Sequence, residues 1–292
     1  MKTFQLVRER SSNFCAVRDW QEFHTPINLL LALAGESGEV CEIFQWKGSL
    51  EKLSDLKTVF SEKEIVNIGE EIADVFIYST RLSDVCSIDL ANSVRQIYLQ
   101  RSAVENLFSD SMIGISISTL KRADSIEAWD DLSFEELNSS LPDFKFDSIR
   151  SQRHTALAIQ SQIGKVCRLF GSKSEEDCRH GLKLWASSEV SQLATLLGTV
   201  CILLAYLAKQ SRHSLSACIT EKFAKNDAKY PADLSRGSSA KYTQYAEAVA
   251  KKSSADSKWN FTSRFLTKRS LQTILSIAIA TSLGFLLGRF KS

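Results

Sequence analysis

The sequence predicts an all-α fold, and three observations predict it. Only 3 Pro and 12 Gly occur among 292 residues, so the chain has few of the residues that break regular structure. Apolar residues recur at helical spacing over long stretches, and strand-like alternation is scarce. Helix-start signals stand where two of the longest periodic runs begin, at Thr25-Pro26 and at Ser61 with Glu64 three residues on.

Residues 1–17 have no long apolar core and carry Glu9 among arginines, which argues against a secretory signal and for a first bundle helix. The next helix takes Thr25 as N-cap and Pro26 at its first position, runs to about Trp46 and stops at Gly48. Ser61 and Glu64 form a capping box that opens a helix reaching about Asp84. A further helix from Asp89 turns Leu90, Val94, Ile97 and Val104 inward. Four helices of this length make a bundle, here residues 1–107. Residues 108–147 are rich in Asp, Glu and Ser and read as an acidic connector with one or two short helices.

The bundle then repeats over 148–245. Gly164–Phe170 aligns with Gly38–Phe44, Cys167 falling on Cys41, and 191–209 aligns with 66–84. Residues 246–270 form a basic linker. Residues 271–288 are uncharged, long enough to span about 27 Å as a helix. Their polar members scatter around the helix, so they read as a C-terminal transmembrane anchor that leaves the rest in the cytosol. Basic flanks on both sides favour the mitochondrial outer membrane, with peroxisome and endoplasmic reticulum as alternatives.

Bulk properties narrow the function. A formal net charge of +2 gives no global field of the kind that marks a nucleic-acid binder. Seven cysteines sit mostly in apolar helical runs without CxxC or Cys/His metal spacing, as expected of small core residues in a reducing compartment.

Chemistry concentrates in two acidic pairs. Glu36 and Glu39 interrupt one apolar helix, and Glu71 and Asp74 interrupt the next. Residues three apart share a helix face, so side-by-side packing would converge four carboxylates. Two carboxylates about 5 Å apart repel by roughly 3 kcal/mol at an effective dielectric near 20. One such pair is ordinarily a solvated face; two, each inside an apolar helix, argue for a cation site. Oxygen-only ligands favour a hard ion, Mg2+ first, beside a phosphate substrate.

The run Arg18–Lys47, together with Glu70–Tyr78, resembles the all-α nucleoside triphosphate pyrophosphatases of the MazG-like superfamily, in particular the eukaryotic dCTP pyrophosphatases, over about sixty residues. Their E-x-x-E and E-x-x-D signature falls on Glu36, Glu39, Glu71 and Asp74. The resemblance implies Mg2+-dependent hydrolysis between the α and β phosphates of dCTP or a modified analogue, with dUTP or a broader set of nucleotides as the rival substrate. It implies Glu36 or Glu39 as the group that takes a proton from the attacking water. It also implies a stacking role for Trp46, with Trp20 and His24 in the matching DW-x-x-F-H segment and Tyr78 on the face of Glu71 and Asp74. Many relatives carry a His where this chain has Ser11.

In the second copy Gln162, Lys165, Leu196 and Thr199 stand at the four acidic positions, so no metal site is expected there. That copy instead carries the segment that resembles the family's nucleotide-binding C-terminal motif, with Lys222, Asn226, Lys229 and Tyr230. The first copy has Ile97 and Arg101 at the Lys and Asn positions. Two fused copies packed as a pseudo-dimer, each supplying what the other lacks, are therefore expected, in a protein that forms a homodimer. The rival of another class is a non-catalytic scaffold binding a nucleotide or a partner at a membrane. Four mutually repelling carboxylates would serve no purpose there.

Overall fold

The computed structural model describes residues 2–47, 56–99, 133–141 and 151–238. All belong to a compact unit spanning Met1–Ala240; a second unit, Lys241–Ser292, lies outside the described residues. The expected linker and apolar span at 246–270 and 271–288 lie there too, as do most of the 108–147 connector, Arg101 and Val104.

Regular structure among the described residues is helical, apart from one isolated bridge between Thr3 and Ser133. Ten helices follow in order: α1 Phe4–Ala16, α2 Pro26–Phe44, α3 Leu56–Val59, α4 Glu62–Val85, α5 Leu90–Leu99, α6 Phe134–Ser140, α7 Gln152–Gly171, α8 Ser187–Gln210, α9 Leu215–Lys229 and α10 Ala232–Ser235. Local chemistry sets the starts. Thr25 Oγ1 accepts from Asn28 N at 3.2 Å, with Pro26 at N1. Ser61 Oγ accepts from Glu64 N while Glu64 Oε2 accepts from Ser61 N at 2.8 Å, closing the capping box. Helix α2 ends at Phe44, two residues short of the expected Trp46.

Helices α4 and α8 run through the middle and touch each other. Ile72, Val75 and Phe76 on α4 and Leu197, Val200 and Leu204 on α8 are fully buried. Among the described residues α8 is the one helix long and apolar enough to cross a membrane, but most of it is buried against α4, α5 and α7, which is the place of a core helix.

The contacts are reciprocal. Helix α2 meets α4 as α7 meets α8, and α2 lies antiparallel against α7, with Ser37 Oγ donating to Gln160 Oε1 at 2.6 Å and Arg153 Nη2 to Gln45 O at 3.4 Å. Two helices cross over: α5 packs chiefly on α8, and α9 chiefly on α4. A glycine permits each crossing. A Cβ on Gly69 would sit 2.8 Å from Cys218 Sγ on α9, and one on Gly198 would sit 2.8 Å from Ile97 Cδ1 on α5 and 3.3 Å from the backbone of Ser93 and Val94. Among the described residues, α1, α2, α4 and α5 therefore do not close a core by themselves: α8 covers α5, and α9 covers α4.

Candidate active site

Helix α2 presents Glu36, and α4 presents Glu71 and Asp74 from consecutive turns. Carboxylate oxygens of these three lie within 4.8 Å of one another, and among the described residues this is the one group of three acids, cysteines or histidines that close. Glu71 and Asp74 are buried and Glu36 is half-buried. Burial, then Asp74 and Glu39, pushes the Glu36 carboxyl up to about 7. Burial also takes Glu71 to about 7; Lys222 opposes this, while Asp74, Glu39 and Glu36 add to it. Asp74 is likewise raised by burial against the pull of Lys222.

Glu39 stands apart from this group. It is exposed, one turn on along α2, where its charge is still felt by Glu36 and Glu71. It lines an open cleft of about 530 Å³ together with Glu42, Trp46, Lys47, Glu64 and Asn67. Trp46 is 86 % exposed in that cleft.

Helix α9 brings the countercharge. Lys222 forms an ion pair with Asp74 and lies 4.0 Å from Glu70, while Lys225 pairs with Glu70. Burial works against the Lys222 ammonium, but Asp74, then Glu71 and Glu70, outweigh it and hold its pKa above the usual lysine value. Glu70 and Lys225 escaped the sequence reading. Their signal was there: Glu70 is one turn from Asp74, and Lys222, Lys225 and Lys229 repeat at i, i+3 and i+7, a single helical stripe. Asn226 is half-buried one turn beyond Lys222, and its carbonyl accepts from Tyr230 N at 2.9 Å.

The remaining expected residues gather at the end of α9. Lys229 lies 5.4 Å from the Tyr230 ring centroid, and its charge favours the ionised forms of Glu36 and Asp74. Tyr230 meets Trp20 edge to face at 5.3 Å, and Trp20 Nε1 donates to Ser235 O at 2.9 Å. His24 is 6.1 Å from Trp20, ring to ring. Burial, then Arg81 and His180, pushes the His24 pKa down to about 4, so its imidazole is neutral at physiological pH. Tyr78, one turn beyond Asp74, has its phenol pKa raised by burial and then by Glu36, Asp74 and Tyr230. Ser11 is buried with its hydroxyl unpartnered.

Among the described residues, 151–238 hold no comparable cluster. Gln162, Leu196 and Thr199 are buried, Lys165 is exposed, and Thr199 Oγ1 turns back to Thr195 O at 2.7 Å. Ile97 of α5 is buried over α8, its Cδ1 2.8 Å from where a Cβ on Gly198 would sit.

The donor set of the first half fits a divalent cation. Three carboxylates crowded into a mostly buried site repel one another, the ammonium groups of Lys222 and Lys229 offset part of that, and all-oxygen ligands suit a hard ion. Glu36, Glu71 and Asp74 could hold a metal.

Comparison with known proteins relates the chain to dCTP pyrophosphatase 1. Over 92 residues it is 42 % identical to the proteins of that name from Rattus norvegicus and Homo sapiens, and 41 % identical to that from Bos taurus. The match covers 32 % of this chain and 52–53 % of each relative, so the chain spans about half the length of the curated relatives it matches. No family model and no solved structure matches the chain.

Proposed function

We propose that the chain is a Mg2+-dependent nucleoside triphosphate pyrophosphatase that converts dCTP, or a modified dCTP, to dCMP and pyrophosphate. The observation that carries this reading is the meeting of Glu36, Glu71 and Asp74 from α2 and α4 with Lys222 from α9. The relatives named for dCTP cleavage support the substrate. The reciprocal contacts support two fused MazG-like bundles arranged as a pseudo-twofold pair, in which the first supplies carboxylates and the second supplies Lys222, Asn226, Lys229 and Tyr230. The pair holds one active centre.

Glu36, Glu71 and Asp74 would hold Mg2+, with Glu39 one turn away as a further ligand. The ion supplies charge neutralisation on the triphosphate and a more acidic attacking water. Water adds to the α-phosphorus as the bond to the α–β bridging oxygen breaks, and pyrophosphate leaves. Glu36 or Glu39 takes the proton. Lys222 and Lys229 offset phosphate charge. Trp20 and Tyr230 wall the base, and neutral His24 offers it hydrogen bonding without added charge. We propose further that residues 271–288 attach the protein to a membrane.

Pyrophosphate release from a panel of nucleoside triphosphates, with and without Mg2+, tests the reading. The expected result is Mg2+-dependent release with dCTP preferred, abolished in Glu71→Gln and Asp74→Asn and retained in Thr199→Val. Near wild-type turnover by Asp74→Asn would overturn the assigned ligands, and no release from any triphosphate would overturn the activity.

A further inference from the structure

Arg18 has no part in the chemistry above, yet it is the most enclosed arginine among the described residues, at 3 % exposure. A guanidinium so buried must find acceptors in the protein. It finds three: Nε donates to Tyr230 O at 2.8 Å, Nη1 to Phe14 O at 3.0 Å, and Nη2 to Asp227 Oδ1 at 3.2 Å. Its Cζ lies 3.6 Å from the centroid of the Phe14 ring. Arg10 holds the second oxygen of Asp227. The Arg18 carbonyl accepts from Gly237 N at 2.8 Å, with Gly237 at φ +64, a conformation suited to glycine. Its neighbours join the same seam: Asp19 pairs with Arg236, and Trp20 Nε1 donates to Ser235 O.

The turn after α1 is thus stitched to the chain that leaves α9. What the stitching orients is an aromatic chain, Phe14 to Trp20 at 5.8 Å and Trp20 to Tyr230 at 5.3 Å, both edge to face. Trp20 belongs to the first half and Tyr230 to the second, so their relative placement depends on contacts between halves. Arg18 bonds the backbone of Tyr230 and the side chain of Asp227 from one rigid planar fork. A lysine could not reach three such divergent acceptors.

We propose that Arg18 is a positioning residue. It fixes Tyr230 against Trp20 and so builds the wall that grips the nucleobase, without itself touching the nucleotide. This rests on the pyrophosphatase reading, and it separates base recognition (set by the Arg18–Asp227 clasp) from phosphate recognition, set by the carboxylates and Lys222.

Calorimetric binding of dCMP and, separately, of pyrophosphate to the full chain in Mg2+ distinguishes the two. Arg18→Met and Arg18→Lys should each lose about tenfold in dCMP affinity, the scale of one charge-assisted hydrogen bond. Pyrophosphate affinity should stay within about twofold, the KM for dCTP should rise, and kcat should hardly change. Asp227→Asn leaves Arg18 both carbonyl acceptors, so it should fold normally and show the same selective loss in smaller measure. Equal weakening of both ligands in Asp227→Asn, or no weakening of dCMP in it, would overturn the role of Arg18 even if the Arg18 variants fail to fold. A wild-type protein that binds neither ligand would overturn the pyrophosphatase reading itself, before any substitution is made.

Discussion

Removing the Lys222 ammonium is the most informative single perturbation, because that charge crosses from α9 to the acids of α4. The side chains of Lys222 and Asp74 are 14 % and 10 % exposed, so solvent screens their attraction little. Opposite unit charges about 4 Å apart are worth ~4 kcal/mol at an effective dielectric of 20. Stripping one partner from a buried pair ordinarily costs about 3–5 kcal/mol. Asp74 can relieve some of this by taking up a proton, since burial already raises its pKa. Lys222→Met, which keeps the aliphatic bulk, should therefore destabilise the protein by ~2–4 kcal/mol at neutral pH in a chelator. Urea denaturation measures it. Asp74→Asn, which removes the buried negative charge, should suppress most of the loss, giving a double-mutant coupling of about 2 kcal/mol. A Lys222→Met protein within ~0.5 kcal/mol of wild type, or a coupling indistinguishable from zero, would refute the reasoning.

Other outcomes follow from particular contacts. Gly198→Ala should lower stability by about 1–2 kcal/mol in thermal or urea unfolding, because its Cβ would press on Ile97 and on backbone at Ser93 and Val94. Gly164→Ala on α7, with nothing within 4 Å of the added Cβ, should instead stabilise by up to ~1 kcal/mol. His24 is held neutral in the fold down to about pH 4, against 6.5 in the unfolded chain, so the unfolded state binds the proton first. Its contribution is complete above pH 6.5 and is lost as pH falls toward 4, by about 3 kcal/mol; His24→Gln should flatten that part of the stability–pH curve. Full-length protein should resist carbonate extraction from membranes and a chain lacking residues 271–288 should not; release of the full-length protein at high pH would remove the proposed anchor.

The helices were legible in the sequence because their determinants are local. Thr25-Pro26, the Ser61–Glu64 box and the apolar spacing of 62–85 act within a few residues, and the helices start where those signals stand. Termination was read less well: α2 stops at Phe44, since the last turn of a helix depends on capping contacts that spacing does not encode. The acidic pairs were visible for the same local reason, three residues being almost one helical turn.

What the sequence by itself determined is the set of faces: which residues share a side of each helix, and which helices carry acids or lysines. Tertiary structure alone decided which faces meet. It drew Glu36 to Glu71 and Asp74 and left Glu39 in the open cleft with Trp46. It recruited Glu70 through Lys225, and it joined Arg18 to Tyr230 and Asp227 across more than two hundred residues of chain. The physical reason is that a helical period sets orientation over one or two turns. The crossings of α5 over α8 and of α9 over α4 are settled by close packing at Gly198 and Gly69 and by burial of the whole core at once.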